Sequence, residues 1–181
     1  MSIALLLDRD GTLMDDVGYP NDPARVQLIP GAAAAVRDLA RLGFVPAVVS
    51  NQSGLARRIV TPVQAVAVHD RFVELFAEAS GLALPCFYCP HGPDDRCDCR
   101  KPKPGLLQQA VRSLELLGKP AVMIGDKPSD VAAGRAVGAT TVWLAFGRKC
   151  SAGELPPDFT AETWDDCSAW LRRTVANRNA A

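Results

Sequence analysis

A chain of 181 residues with 48% hydrophobic residues is long enough for one well-buried domain and too short for two typical ones. Twenty basic residues balance twenty acidic ones, so no overall charge attracts the protein to nucleic acid or to an anionic membrane. We therefore expect neither partner, and an anionic ligand must be held by a local cluster of charges.

The opening apolar run, Ile3–Leu7, meets Asp8 at once. It is typical of a buried strand and too short for a signal-peptide core or a membrane span. We therefore expect a cytoplasmic protein, and a monomer. A reducing compartment disfavours disulfides, and the uneven clustering of the six cysteines favours metal binding instead.

Short apolar runs alternate with helical patterns along the chain. The runs predict strands at Ser2–Leu7, Phe44–Val49, Leu82–Tyr88, Ala121–Ile124 and Thr140–Leu144. The other patterns predict helices at Ala32–Leu42, Pro62–Ala79, Pro104–Leu117, Ser129–Val137 and Thr163–Val175. This alternation indicates a three-layer, doubly wound α/β fold, with helices on both faces of a parallel sheet. We expect a single domain over residues 1–175, followed by a frayed tail at 176–181.

Polar and charged residues follow several of the predicted strands. The segments are Asp8-Arg9-Asp10-Gly11-Thr12, Ser50-Asn51-Gln52-Ser53-Gly54 and Gly125-Asp126-Lys127-Pro128-Ser129-Asp130. A further charge, Lys101, lies just ahead of a predicted helix. Because ligands of parallel sheets bind outside the carboxyl ends of the strands, we expect these groups to meet at one edge.

The charges at this edge predict phosphoryl chemistry. Side by side, Asp8, Asp10 and Asp126 would repel one another, and a hard divalent cation such as magnesium removes that conflict. Lys101 and Lys127 supply positive charge for phosphoryl oxygens. One carboxylate can attack phosphorus while a second transfers protons.

Together these segments resemble the four motifs of the haloacid dehalogenase (HAD) superfamily of phosphatases, in the family's order. The resemblance implies that Asp8 is the nucleophile and Asp10 the general acid/base. It implies a magnesium ion bound by the side chains of Asp8 and Asp126 and by the backbone carbonyl of Asp10. Ser50 and Lys101 would hold the transferring phosphoryl group.

The segment from Cys89 to Cys99 offers four nitrogen and sulfur ligands within eleven residues: Cys89, His91, Cys97 and Cys99. This set favours zinc, and four protein ligands leave no open position for water or substrate, so the expected role is structural. Three cysteines outside the pattern, and one histidine inside a helical pattern, are expected to serve packing: Cys86, Cys150, Cys167 and His69. Asp130 is expected to cap a helix or support the site rather than bind metal.

A zinc loop followed by Arg100-Lys101-Pro102 resembles, more narrowly, the D-glycero-D-manno-heptose 1,7-bisphosphate 7-phosphatases, whose nearest relatives are the histidinol-phosphate phosphatases. The serine in Asn51-Gln52-Ser53-Gly54 favours the heptose group, because the histidinol enzymes usually read N-Q-D-G. The resemblance implies removal of the C7 phosphate from a small sugar bisphosphate, in the synthesis of nucleotide-activated heptose for bacterial surface polysaccharide. The implied substrate contacts, with Arg100 reading the distal phosphate, are Asp16, Val17, Gly18, Tyr19, Ser50, Asn51, Gln52, Ser53, Arg100, Lys101 and Lys127.

Two features depart from the family pattern. The loop between His91 and Cys97 is shorter than in many members, and Val17 stands where histidine is common. The spacing between motifs leaves no room for a large cap domain, so we expect an open site.

Three alternatives stay open: a phosphatase of histidinol phosphate or another small ester, a signalling receiver domain, and a zinc-dependent interaction module. A nucleophile at the end of the first strand argues against the receiver. The interaction module leaves the pair Asp8 and Asp10 unexplained.

Overall fold

The computed structural model describes residues 2–148 and 155–180. They form a six-stranded, all-parallel sheet in the order β3-β2-β1-β4-β5-β6. The strands are β1 (Ile3–Leu7), β2 (Phe44–Asn51), β3 (Cys86–Cys89), β4 (Ala121–Gly125), β5 (Thr140–Leu144) and β6 (Phe159–Ala161). The predicted α/β fold with a parallel sheet is confirmed.

Five α-helices connect and cover these strands. They are α1 (Ala32–Arg41), α2 (Pro62–Ser80), α3 (Gly105–Ser113), α4 (Pro128–Ala136) and α5 (Trp164–Ala180), with a short 3-10 helix at Pro23–Arg25. Within the described part of the chain, no helix is both long and apolar enough to cross a membrane.

The central strand β1 has every residue buried, because both faces of the sheet are covered. Leu5 and Leu7 belong to the core formed with α1, α2 and α5. Leu6 points to the other face and packs with residues of α3 and α4. The two helical layers therefore hold β1 from both sides, which fixes the position at which its carboxyl end opens into the site.

Pro46 lies inside β2, where a missing N–H would normally break a sheet. It pairs with Leu5 of β1, but pairing of β2 with β3 begins only at Val48. The proline therefore sits where β2 has no strand on its outer side.

Several element boundaries differ from the sequence-based expectation, and one strand was not expected at all. Strand β3 begins at Cys86 rather than Leu82, and α3 ends at Ser113 rather than Leu117. Glu115 adopts a left-handed φ of 58°, which stops the helix before the glycine that was expected to end it. Strand β6 was missed because three residues give no periodic signal, and α5 continues to Ala180.

The segments between the site motifs are filled by α1 and β2 on one side, and by α2, β3 and the cysteine loop on the other. The expected absence of a large cap domain agrees with this arrangement. Fraying of the tail stays a prediction, and Cys150 lies outside the described residues.

Candidate active site

The loop that follows β1 turns sharply against the end of β4. Gly11 has a φ of 84°, and a Cβ placed on it would lie 2.3 Å from Oδ2 of Asp126. Any other residue would be strained by its backbone angle and would collide with that carboxylate. Glycine is therefore required for the Asp8–Thr12 loop to approach Asp126.

Three buried carboxylates, here called the carboxylate site, meet at this edge: Asp8, Asp126 and Asp130, with ligand oxygens all within 4.8 Å of one another. Lys101 is also buried, and its Nζ lies 2.8 Å from Asp8 Oδ1 and 2.7 Å from Asp130 Oδ1. Its third contact is a 2.7 Å hydrogen bond donated to the carbonyl of Val49. One lysine thus joins the ends of β1, β2 and the start of α4.

Burial and like charge shift the acid–base properties of this group. Burial raises the pKa of Asp126, and the nearby charge of Asp8 raises it further. Burial likewise raises the pKa of Asp130. Burial alone would lower the pKa of Lys101, but the carboxylates of Asp130 and Asp8 outweigh it and raise that pKa. The site therefore holds more negative charge than its buried lysine offsets.

The donor chemistry of the carboxylate site fits a hard divalent cation. Its ligand atoms are all oxygens, and magnesium favours carboxylates over nitrogen or sulfur. Oδ2 of Asp126 is now paired with the half-exposed guanidinium of Arg148 at 2.9 Å, while Thr12 Oγ1 lies 3.4 Å from Oδ1. A backbone contribution from Asp10 stays a prediction.

Asp10 is held by partners different from those of the other carboxylates. The guanidinium of Arg9 donates three hydrogen bonds of 3.0–3.1 Å to its two oxygens. Gln52 Nε2 donates to Oδ2 at 2.6 Å, and Ser50 Oγ lies 3.5 Å away. Burial raises the pKa of Asp10, and the charge of Arg9 offsets this only in part.

Two cavities share this edge of the sheet. The smaller, of about 30 Å³, is lined by Asp8, Asp10, Ser50, Asn51, Lys101, Lys127, Ser129 and Asp130. The larger, of about 380 Å³, is lined in part by Asp16, Gly18, Tyr19, Asn51, Gln52, Ser53, Arg100, Lys101 and Lys127. All the expected substrate contacts except Val17 therefore line one or both cavities.

Asn51 links the backbone of Lys101 to the end of β2. Its Nδ2 donates to the carbonyl of Lys101 at 3.0 Å, and its Oδ1 accepts from the Lys101 N–H at 3.0 Å. The neighbouring Arg100 donates to the carbonyl of His91 at 3.2 Å. The side chain of Asn51 is thus committed to the backbone of Lys101, a role not expected from the sequence.

Lys127 and Asp130 connect the start of α4 to the rim of the large cavity. Asp130 accepts a hydrogen bond from the Lys127 N–H at 3.1 Å, so it caps α4 as expected while also pairing with Lys101. Lys127 Nζ lies 2.9 Å from Asp16 Oδ2. The pKa of Lys127 is raised because Asp8 and Asp126 outweigh the effect of burial.

The four expected zinc ligands, here called the thiol site, are brought together by the loop after β3. Cys89 Sγ lies 3.2 Å from Cys99 Sγ and 3.9 Å from Cys97 Sγ. His91 Nδ1 lies 3.6 Å from Cys89 Sγ and 3.3 Å from Cys99 Sγ. A tetrahedral zinc with ordinary bond lengths separates two sulfurs by roughly 3.8 Å, which the Cys89–Cys97 pair matches and the Cys89–Cys99 pair would reach by a small outward shift. The set can therefore hold zinc, with His91 binding through Nδ1.

Comparisons with known proteins agree with this geometry. A HAD-hydrolase-like family profile matches residues 98–167. A D-glycero-β-D-manno-heptose-1,7-bisphosphate 7-phosphatase of Pseudomonas putida is 36% identical over 172 residues, covering 94% of this chain and 98% of that protein. Its Pseudomonas aeruginosa counterpart is 39% identical over 145 residues, covering 80% and 82%. The chain belongs to this phosphatase family.

A solved relative supports the same placement. The D,D-heptose 1,7-bisphosphate phosphatase of Bordetella bronchiseptica, crystallised with magnesium and phosphate, superposes with a TM-score of 0.80 at 28% identity. The match covers 95% of this chain and 99% of that one. The chain is therefore a HAD-type phosphatase, and the receiver-domain and interaction-module alternatives are set aside.

The described cysteines outside the thiol site pack in or beside the core, as expected. Cys167 is fully buried and Cys86 is half-buried beside the main core. His69, inside α2, contacts Tyr88 with Nδ1 at 2.9 Å from the phenol oxygen.

Three residues of the site were missed from the sequence: Arg9, Arg148 and Trp164. Arg9 stands inside the first HAD motif, but nothing in that pattern shows that its side chain is buried. Arg148 follows β5 and reaches Asp126, and Trp164 Nε1 donates to the carbonyl of Thr12 at 2.8 Å. Arg148 could have been found only by asking which polar residues follow β5, since ligands of parallel sheets bind outside the carboxyl ends of the strands.

Proposed function

We propose that this phosphatase removes the C7 phosphate of D-glycero-D-manno-heptose 1,7-bisphosphate, in the synthesis of nucleotide-activated heptose. The observation that carries the proposal is the carboxylate site with its buried Lys101, set against a large cavity whose rim presents Arg100 and Lys127. A sugar with two phosphates needs cationic groups at both ends, and this cavity offers them. The names of the relatives supply the choice of sugar.

In the first step Asp8 is the nucleophile. An oxygen of its carboxylate bonds to phosphorus as the bond from phosphorus to the sugar oxygen breaks, which leaves an aspartyl phosphate. Asp10 donates a proton to the departing sugar oxygen. Lys101, 2.8 Å from Asp8, and the hydroxyl of Ser50 stabilise the phosphoryl oxygens.

In the second step Asp10, now deprotonated, takes a proton from water. The water oxygen bonds to phosphorus, the bond to Asp8 breaks, and inorganic phosphate leaves. The small cavity lined by Asp8, Asp10, Ser50 and Lys101 supports this assignment, because it places all four groups around one space.

The metal ions have separate proposed roles. Magnesium, held by Asp8, Asp126 and the carbonyl of Asp10, would supply the positive charge that lets a phosphate approach the carboxylate site. Zinc at the thiol site would brace the loop that ends at Arg100 and Lys101, with no part in the chemistry. A cytoplasmic location and the monomeric state stay predictions.

A phosphate-release screen tests the proposal. Heptose 1,7-bisphosphate, heptose 7-phosphate, histidinol phosphate and other sugar phosphates are compared by initial rate, with magnesium, without it, and with zinc in its place. We expect the highest kcat/KM on heptose bisphosphate, no turnover after chelation, and no turnover with zinc alone. A clear preference for histidinol phosphate would overturn the substrate assignment while leaving the phosphatase assignment intact.

A further inference from the structure

Arg9 is a buried cation that faces neither cavity. Its exposed fraction is 2%, and it is absent from the residues lining either of the two cavities of the site. A buried guanidinium is costly unless its donors are paired, and here the pairing is with Asp10. The arginine therefore contacts the general acid/base from behind, away from the space that the substrate would fill.

The pairing fixes both oxygens of Asp10. Arg9 Nε and one terminal nitrogen donate to Oδ1 at 3.1 and 3.0 Å, and the same terminal nitrogen donates to Oδ2 at 3.1 Å. The other partners of the carboxylate, Gln52 and Ser50, lie on the cavity side. A bidentate guanidinium restricts rotation of a carboxylate more than a single hydrogen bond does.

Arg9 is itself held by Tyr88, which is held in turn by His69. Its guanidinium carbon lies 5.3 Å from the centre of the Tyr88 ring on β3, within range of a cation–π interaction. The Tyr88 hydroxyl lies 2.9 Å from Nδ1 of His69 on α2, and the two rings meet edge to face at 5.5 Å. Tyr88 directly precedes Cys89, so this chain of contacts also reaches the thiol site.

We propose that Arg9 is a positioning residue that holds the carboxylate of Asp10 against the leaving oxygen, and that Tyr88 and His69 hold Arg9 in turn. The inference rests on the proposed role of Asp10 as general acid. Loss of Arg9 should then damage proton donation to the leaving group more than it damages phosphoryl binding.

A pair of substrates separates these two effects. A sugar alkoxide needs a proton to depart, whereas acetate, released from acetyl phosphate, is a weak base and needs none. Because kcat/KM reports the steps up to formation of the aspartyl phosphate, it isolates the leaving-group step from later hydrolysis. We expect Arg9→Met to lower kcat/KM on the sugar phosphate about 30-fold, within the usual contribution of general acid catalysis. The same variant should lower kcat/KM on acetyl phosphate by less than about threefold.

Graded variants extend the test. Arg9→Lys keeps the positive charge but not the planar, bidentate guanidinium. We therefore expect an intermediate fall in kcat/KM that is again confined to the sugar phosphate. Tyr88→Phe keeps the ring beside the guanidinium, so kcat/KM on the sugar phosphate should fall only about threefold. Tyr88→Leu removes the ring, so the same kcat/KM should fall further. Arg135→Met is the control, because Arg135 pairs with Asp158 and the carbonyl of Pro156 and lines neither cavity, so kcat/KM on both substrates should stay unchanged.

The outcomes are distinguishable from those of the proposed function. If the wild-type enzyme releases phosphate from neither substrate, the proposed function fails, whatever the variants do. If the wild type is active and Arg9→Met lowers kcat/KM equally on both substrates, or on neither, Arg9 does not position the general acid. Thermal unfolding identifies a variant that does not fold, and Arg9→Lys then decides by the same comparison.

Discussion

The carboxylate site and the thiol site are both groups of metal-ligating side chains, but they are assembled in opposite ways. The carboxylates come from the ends of two strands and from α4, and they are buried with Lys101 between them. The thiol site comes from one continuous segment, the end of β3 and the loop after it, and three of its four ligands are only half-buried. The first site therefore depends on the packing of the whole sheet, whereas the second depends on the conformation of one short segment.

This difference suggests a chemical role for the carboxylate site and a supporting role for the thiol site. A pre-assembled group of like charges is poised to act on a substrate, and its cost in repulsion and desolvation is offset in part by the ion pairs with Lys101 and by the rigid sheet that holds it. A closed thiol site has no open position, so its effect must pass through the residues that follow it, Arg100 and Lys101. Variants of the two sites should therefore lose different properties.

The largest effect is expected for Asp8→Asn, which keeps the shape of the side chain but removes the nucleophile. Phosphate release should fall by at least about 10³-fold, because formation of the aspartyl phosphate becomes impossible. The melting temperature should stay close to that of the wild type, since the change also removes repulsion from the carboxylate site. Asp70→Asn on the exposed side of α2 is the control, and full activity in Asp8→Asn would refute the mechanism.

The next effect is expected for Cys99→Ala in the thiol site. Bound zinc, measured by elemental analysis, should be lost, and the free energy of unfolding should fall by about 3 kcal/mol. KM should rise about 10-fold because Arg100 and Lys101 follow directly, while kcat changes less. Cys86→Ala should keep its zinc and its KM. Loss of zinc with an unchanged KM would show that the loop is not a brace.

A smaller effect is expected for Asn51→Ala, which removes the link between the end of β2 and the backbone of Lys101. Removing both hydrogen bonds to the Lys101 backbone should lower kcat/KM about 10-fold and destabilise the fold by about 1–3 kcal/mol. Gln64→Ala is the matched control, since its amide caps α2 by accepting from the Thr61 N–H at 2.9 Å. That variant should lose stability alone; equal kinetic effects in both would remove Asn51 from the positioning of Lys101.

The smallest effect is expected for Asp16→Asn at the rim of the large cavity. Asp16 and Lys127 are partly exposed, so their ion pair should contribute no more than about 0.5 kcal/mol to stability. Freeing Lys127 should change KM about threefold, and the change should shrink as salt is added. Glu74→Gln, which breaks the exposed pair with Arg71, should alter neither quantity. A salt-independent change in KM would point to a direct contact of Asp16 with the substrate.

Much of this architecture could be predicted from the sequence because two strong local signals agree. Apolar runs predict buried strands such as β1. Because ligands bind at the carboxyl ends of parallel strands, the same rule predicts that Asp8, Ser50 and Asp126 lie at one edge. The thiol site was equally accessible, since all its ligands lie within one short loop.

The remainder depends on contacts between distant side chains, which have no local pattern. The direction of the Arg9 side chain follows from the position of Tyr88, 79 residues further along the chain, and no spacing rule encodes it. Likewise, Asn51 lines both cavities as its segment suggested, but nothing local shows that its side chain also binds the Lys101 backbone. The early end of α3 reflects the left-handed backbone of Glu115, a residue with no turn preference of its own.

The hydrogen bond from Trp164 to the carbonyl of Thr12 joins parts of the chain that are 152 residues apart. Trp164 is almost fully buried, and it is the first residue of α5, the helix that packs against α1. During synthesis on a ribosome, every group of the carboxylate site emerges before this tryptophan does. The nascent chain therefore carries Asp8 on a loop that stays unfastened until Trp164 has been made.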